Sequence, residues 1–197
     1  MTYDPARHHR RSIRLKGYDY TQAGAYFVTL CVQGRECLLG AVTAGEMILN
    51  ELGQIVREEW ERSSEIRREI ELDEFVVMPN HMHGIVWIIE PDNVRAHGGA
   101  PQPGSPAPIV RADGRPPQRA PQRAPKSLGS FVAGFKSAAT KRINEQRGMP
   151  GVPVWQRNYY EHIIRNDADL QRIREYIVNN PLKWDLDQLH PNHPSKW

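Results

Sequence analysis

The sequence predicts an α+β domain of ferredoxin-like or RRM-like plan: a βαββαβ antiparallel sheet with an extra C-terminal helix. Three observations predict it. Phe75 to Ile89 is the most apolar run in a polar chain, rich in β-branched residues and divided by Pro79-Asn80, which reads as two adjacent strands joined by a tight turn. Two segments, near 43–62 and 127–143, repeat apolar residues at three and four, the period of a helix with one buried side. An aromatic, β-prone stretch from Tyr159 to Arg165 supplies a last strand and leads into a third helical segment.

In chain order, Gly24 to Val32 forms the first strand, entered through the turn-forming Gly17-Tyr18-Asp19-Tyr20 region. From Thr43 to about Arg62, Met47, Ile48, Leu52, Ile55, Val56 and Trp60 mark a helix whose wet side carries Arg57, Glu58, Glu59 and Glu61. Strands at about Ile70–Met78 and from His81 onward follow. Ser127 is the N-cap of the next helix, with Leu128, Phe131, Val132, Phe135, Ala139 and Ile143 as its apolar stripe. The last helix is capped by Asn166, carries Asp167 and Asp169 where the dipole favours anions, and stops near Asn180-Pro181. Its carrying of a tyrosine, Tyr176, matters below.

At 197 residues the chain suits one domain. We divide it into a basic arm (1–22), a domain (23–184) interrupted by an insertion (91–126), and a polar tail (185–197) to which composition assigns nothing. The insertion holds nine of the sixteen prolines, six Lys/Arg against two acids, and the repeat Pro-Gln-Arg-Ala-Pro-Gln-Arg-Ala-Pro. It buries too little apolar surface to offset its ordering entropy, so an extended, disordered segment is expected, either inert or a basic strap over nucleic-acid backbone. The net charge of +3 is too small to argue for a nucleic-acid partner from bulk charge, so local patches such as Arg7 to Arg11 with Arg14 would have to hold one. Two cysteines without a CxxC pattern, no apolar run of membrane-spanning length and no apolar signal core lead us to expect a cytoplasmic protein with no membrane partner.

The chemistry gathers at the start of the strand that follows Pro79-Asn80. His81 and His83, at i and i+2, project from one face of it. Such a pair alone is more often two hydrogen-bonded core histidines, so another ligand must be found. Tyr176 and Asn180 stand four apart on the last helix and face the same way. Two imidazole nitrogens and an amide oxygen would make an incomplete site for Mg²⁺ or Mn²⁺, open to substrate oxygens, with a tyrosine hydroxyl beside it. Tyrosine is a poor nucleophile until activated, yet it can form a covalent intermediate with a metal-bound phosphodiester. Tyr159 and Tyr160 compete for that role on chemistry alone.

Val-Met-Pro-Asn before His81-Met82-His83, Trp155-Gln156-Arg157, Glu161-His162-Ile163-Ile164-Arg165 and Tyr176-Ile177-Val178-Asn179-Asn180-Pro181 together resemble the single-tyrosine HUH transposases, specifically the REP-associated tyrosine transposases. The likeness runs from about Arg11 to Pro181, and the long insertion departs from it. It implies that His81, His83 and Asn180 bind Mg²⁺ or Mn²⁺, that Tyr176 is the nucleophile, and that single-stranded DNA is cleaved and rejoined beside hairpins through a 5′-phosphotyrosine. Candidate DNA contacts are Arg11, Arg14, Lys136, Trp155, Gln156, Arg157, Tyr159 and Tyr160, whose aromatic members could equally be packing residues. A non-catalytic hairpin-binding protein and a phosphodiesterase that uses water remain the alternatives, and monomer and homodimer are both open.

Overall fold

The computed structural model describes residues 18–89 and 126–193; Arg11, Arg14 and nearly all of the proline-rich insertion lie outside the described residues. The central strand is β1 (Gly24–Cys31), six of whose eight residues are buried, because both faces of the sheet are covered. It pairs antiparallel with β5 (His81–Ile88), from Gly24 opposite Ile88 to Cys31 opposite His81. On its other side it pairs with β6 (Tyr160–Ile164), Thr29 lying opposite Tyr160. With β4 (Ile70–Val77) outside β5, the strand order is β4-β5-β1-β6. The predicted α+β, βαββαβ plan is the one found.

One face of the sheet carries the main core. Tyr26, Val28 and Leu30 of β1 and Met82 and Val86 of β5 meet α1 (Glu51–Ile66) and α2 (Leu128–Gln146). Trp60 is its pivot: fully buried, it meets Phe131 and Phe135 edge-on with ring centroids 5.4 and 5.1 Å apart. Its indole lies so close to β5 that a Cβ on Gly84 would come within 2.5 Å of Trp60 Cζ2. The glycine after His83 thus lets the helix layer approach the strand.

The opposite face is covered by α3 (Asp167–Val178), whose Leu170, Ile173 and Ile177 pack on Ala25, Phe27 and Ile85. Asn166 caps it as expected, accepting from Asp169 N at 2.8 Å. A register irregularity between Leu72 and Phe75 leaves Asp73 pointing at this helix. Its carboxylate accepts from Trp87 Nε1 at 3.0 Å and from Arg174 Nε and a terminal guanidinium nitrogen at 2.9 and 2.6 Å. Arg174 stands two residues before Tyr176, so this pairing fixes where the tyrosine lies along the sheet.

The first helix differs from expectation. Residues 40–49 form a hairpin, β2 (Gly40–Thr43) and β3 (Glu46–Leu49), and α1 begins only after Asn50, whose side chain accepts from Gly53 N at 2.9 Å. Ala44 and Gly45 have φ of 52° and 79°, the pair of positive values that a tight primed hairpin turn requires. A cap and a turn therefore overrode the helical spacing of Met47 and Ile48 with Leu52. The segment after α3 is also structured: a 3-10 helix, Pro181–Leu186, places Leu182 so close to Gly45 that a Cβ there would approach it to 2.7 Å.

Candidate active site

His81 and His83 open β5 on the α3 face, fully and almost fully buried, with their Nε2 atoms 3.0 Å apart. The hydrogen-bond network around Asn80 orients His81. Asn80 Nδ2 donates to the carbonyls of Leu189 (2.7 Å) and Arg35 (3.2 Å), so its Oδ1 must face His81 Nδ1, 2.8 Å away. His81 Nδ1 is then the donor, and Nε2 presents a lone pair inward. His83 Nδ1 lies 2.8 Å from the Thr29 hydroxyl, and its Nε2 lies 3.1 Å from the Tyr176 hydroxyl. Burial, with the Arg35 charge adding, pushes His81 down to about 3; burial and the neighbouring His81 hold His83 well below the usual histidine range. Both imidazoles are therefore neutral near pH 7, the form that binds metal.

The helix side completes the group. Tyr176 is half-exposed as a residue, but its hydroxyl reaches inward, and burial together with the Asp187 charge raises it to about 12, against a smaller lowering by Asn180. Phe27 braces the arrangement, stacked on His83 (centroids 5.4 Å apart) and edge-on to Tyr176 at 6.0 Å. Asn180 is 3% exposed; its Nδ2 donates to Asp187 Oδ2 at 3.3 Å, while its buried Oδ1 has no hydrogen-bond partner. An orphaned amide oxygen costs about 1–3 kcal/mol. The two imidazole Nε2 atoms, this oxygen and a carboxylate make a donor set that suits a divalent cation. His81, His83 and Asp187 form a buried group able to hold a metal ion, with ligand atoms all within 4.8 Å of one another.

Asp187 is the residue that sequence reasoning missed. It lies in the tail to which composition assigned nothing, and the 3-10 turn started by Pro181 carries it back to within 3.9 Å of His81 Nε2. Proline after Asn180 was the one signal that the chain turns there.

The expected DNA contacts divide. Trp155 is 6% exposed and packs near Phe135, the packing role open to it from the sequence. Lys136 from α2 donates to the carbonyls of Gln156 (2.9 Å) and Asn158 (3.0 Å) and lies over the Tyr159 ring, bracing the chain before β6. Arg157 is exposed beside an open cavity of about 310 Å³ also lined by Lys136, Thr140 and Gln156. Tyr160, 44% exposed, meets Phe27 edge-on next to the histidines. Among the described tyrosines, Tyr176 is the one whose hydroxyl bonds to a histidine of the pair.

No protein-family model matches the chain. It is 42% identical over 188 residues to an uncharacterised protein of Haemophilus influenzae, an alignment spanning 95% of this chain and 97% of that protein. The two belong to one family. Among solved structures, that of a REP-associated tyrosine transposase bound to a REP hairpin aligns with 89% of this chain and 77% of its own, at a TM-score of 0.53 and 20% identity. The chain has the fold of a REP-associated tyrosine transposase. A candidate transposase of Deinococcus radiodurans R1 aligns with 85% of this chain and 97% of its own, at 17% identity and a TM-score of 0.38, too distant to bear on the argument. Within this transposase fold the histidine pair, Tyr176 and Asn180 all come from one chain. Among the described residues no helix is long and apolar enough to cross a membrane.

Proposed function

We propose that the protein is a REP-associated tyrosine transposase, a metal-dependent endonuclease that cleaves and rejoins single-stranded DNA next to hairpins. The observation that carries this reading is the Tyr176 hydroxyl at 3.1 Å from His83 Nε2, inside a buried group of metal-ligand type. Binding alone requires no nucleophile at that position. The hairpin bound by the transposase of the same fold supports the choice of substrate.

His81 and His83, with Asn180, would hold Mg²⁺ or Mn²⁺. The ion, when bound, supplies positive charge for the oxygens of the phosphodiester and orients it for attack. The protein does the rest. Asn80 and Thr29 fix the imidazole orientations, Phe27 and Arg174 fix the position of the phenol, and α3 excludes water from one side. The Tyr176 oxygen forms the new bond to phosphorus, and the bond from phosphorus to the 3′ oxygen breaks. The phenolic proton is given up to solvent as the bond forms, and the leaving 3′ oxygen takes up a proton. The products are a 5′-phosphotyrosine and a free 3′-hydroxyl, and reverse attack by another 3′-hydroxyl rejoins the strands. Arg157 and Tyr160, exposed on the side of β6, are available to phosphates and unstacked bases.

The test incubates the protein and its Tyr176→Phe variant with labelled hairpin DNA from beside its own gene, in Mg²⁺, Mn²⁺ or EDTA. A metal-dependent covalent adduct on a denaturing gel, absent from the variant, is expected. Tight binding without an adduct in any metal would make the protein a hairpin-binding factor; equal cleavage by both proteins would make water the nucleophile.

A further inference from the structure

We infer that Asp187 is the anionic ligand of this metal site, delivered by a backbone segment that Arg35 and Asn80 clamp in place. The inference rests on the metal site proposed above and adds a fourth ligand, on a segment outside the motifs. Three consecutive carbonyls of that segment are captured by side chains. An Arg35 terminal nitrogen donates to Gln188 O at 2.9 Å and to His190 O at 3.0 Å, and Asn80 Nδ2 donates to Leu189 O at 2.7 Å. Arg35 stands at φ 60°, in the left-handed region, in the turn that follows β1. Trp184 packs between the rings of His190 and His81, at 4.7 and 6.0 Å, and closes the other side.

The carboxylate is aimed rather than merely nearby. One oxygen is tied to its own backbone, accepting from Leu189 N at 2.6 Å, which turns the other toward His81 Nε2 and the Asn180 amide. Ligands at right angles about an ion ~2.1 Å away lie ~3.0 Å apart, and opposed ones ~4.2 Å. The separations of 3.0 Å between the imidazole nitrogens and 3.9 Å from His81 to Asp187 fall within that span. The Asp187 side chain is itself buried, and among the described residues its one contact of ion-pair type is with His81 Nε2, at 3.9 Å. A divalent cation between these atoms would bring the carboxylate a counter-charge. With it the site would carry one net positive charge, which a phosphodiester would neutralise.

Asn80 makes the clamp part of the site. One end of its amide orients His81 and the other holds the segment bearing Asp187, so the two ligands are set by a single side chain.

The experiment measures Mn²⁺ affinity by titration followed by electron paramagnetic resonance of the free ion, without DNA. It compares wild type, Asp187→Asn, Arg35→Met and His81→Ala. Asp187→Asn keeps the size and an acceptor for Leu189 N; it is expected to weaken Mn²⁺ binding tenfold or more. Arg35→Met touches no ligand and is expected to weaken it several-fold, which a residue serving stability alone would not do. Should Asp187→Asn fail to fold, Arg35→Met decides by the same readout, and wild-type affinity in it overturns the inference. Wild-type affinity in Asp187→Asn, with binding lost in His81→Ala, removes Asp187 as a ligand and leaves the metal site standing. Undiminished affinity with faster hairpin cleavage would make the segment a strap that competes with DNA, and overturns it too. No Mn²⁺ binding by the wild type ends both this inference and the metal site beneath it.

Discussion

Replacing Gly84 by alanine tests the link between the core and the site most directly. The added Cβ would sit 2.5, 3.1 and 3.2 Å from three carbons of the Trp60 indole, and the first distance demands movement. Trp60 cannot yield easily, because Phe131, Phe135 and Phe75 hold its ring from several directions. The strand must then give way, and His83 is the adjacent residue. Overpacking of this kind costs about 1–3 kcal/mol, or roughly 3–10 °C of Tm for a chain of this size. Differential scanning calorimetry of Gly84→Ala, Trp60→Phe and the double variant is the assay. Phenylalanine removes the clashing edge, so the double variant should be at least about 1 kcal/mol more stable than the sum of the single losses. Strict additivity, or an unchanged Tm in Gly84→Ala, would refute the claim that Gly84 exists to admit the indole.

The same contacts fix three further outcomes. Hydrogen bonds from Arg174 hold the Asp73 carboxyl at about 2, below its usual value near 3.8; a depressed pKa contributes stability above the unfolded value and loses it as pH falls through the folded one. Asp73→Asn should therefore be less stable than wild type at pH 7, with the difference shrinking as pH falls from about 4 toward 2, as read by urea denaturation across that range. Asn80→Ala strands both His81 Nδ1 and the Leu189 carbonyl, and should cost about 1–3 kcal/mol while weakening Mn²⁺ binding in the same titration as above. Asn50→Ala removes the cap that starts α1 and should cost about 0.5–2 kcal/mol by thermal denaturation; no loss would return the start of that helix to residue 43.

Much of this was legible because it is periodic or local. The apolar, β-branched runs of β1 and β5, the stripes of α2 and α3, and the caps at Ser127 and Asn166 each write their geometry into a few neighbouring residues. His81 with His83, and Tyr176 with Asn180, share a face by spacing alone; that the two faces meet depends on α3 crossing the sheet, which the Asp73–Arg174 pairing fixes. Asp187 was not legible, since backbone carbonyls caught by distant side chains bring it home, and carbonyls have no signature in a sequence. Trp155 shows the complementary difficulty: an aromatic residue beside an arginine is spelled the same whether it faces a base or a phenylalanine. At residues 40–49 two signals conflicted, and the glycine turn outweighed the spacing.

The antiparallel pairing of β1 and β5 sets Cys31 beside His81 at one end and Gly24 beside Ile88 at the other. The histidines thus stand at the near end of β5, and the chain departs toward the long insertion from the far end, roughly 24 Å away at ~3.4 Å per residue. It rejoins at α2, whose Leu128 N donates to Tyr20 O on the approach to β1, again at that far end. Since each doubling of a loop costs only about 0.6 kcal/mol, the length of this connection weighs little on the sheet, and its two ends meet the sheet away from the histidines. The fold thereby keeps the point where the chain leaves and re-enters apart from the point where the histidines stand.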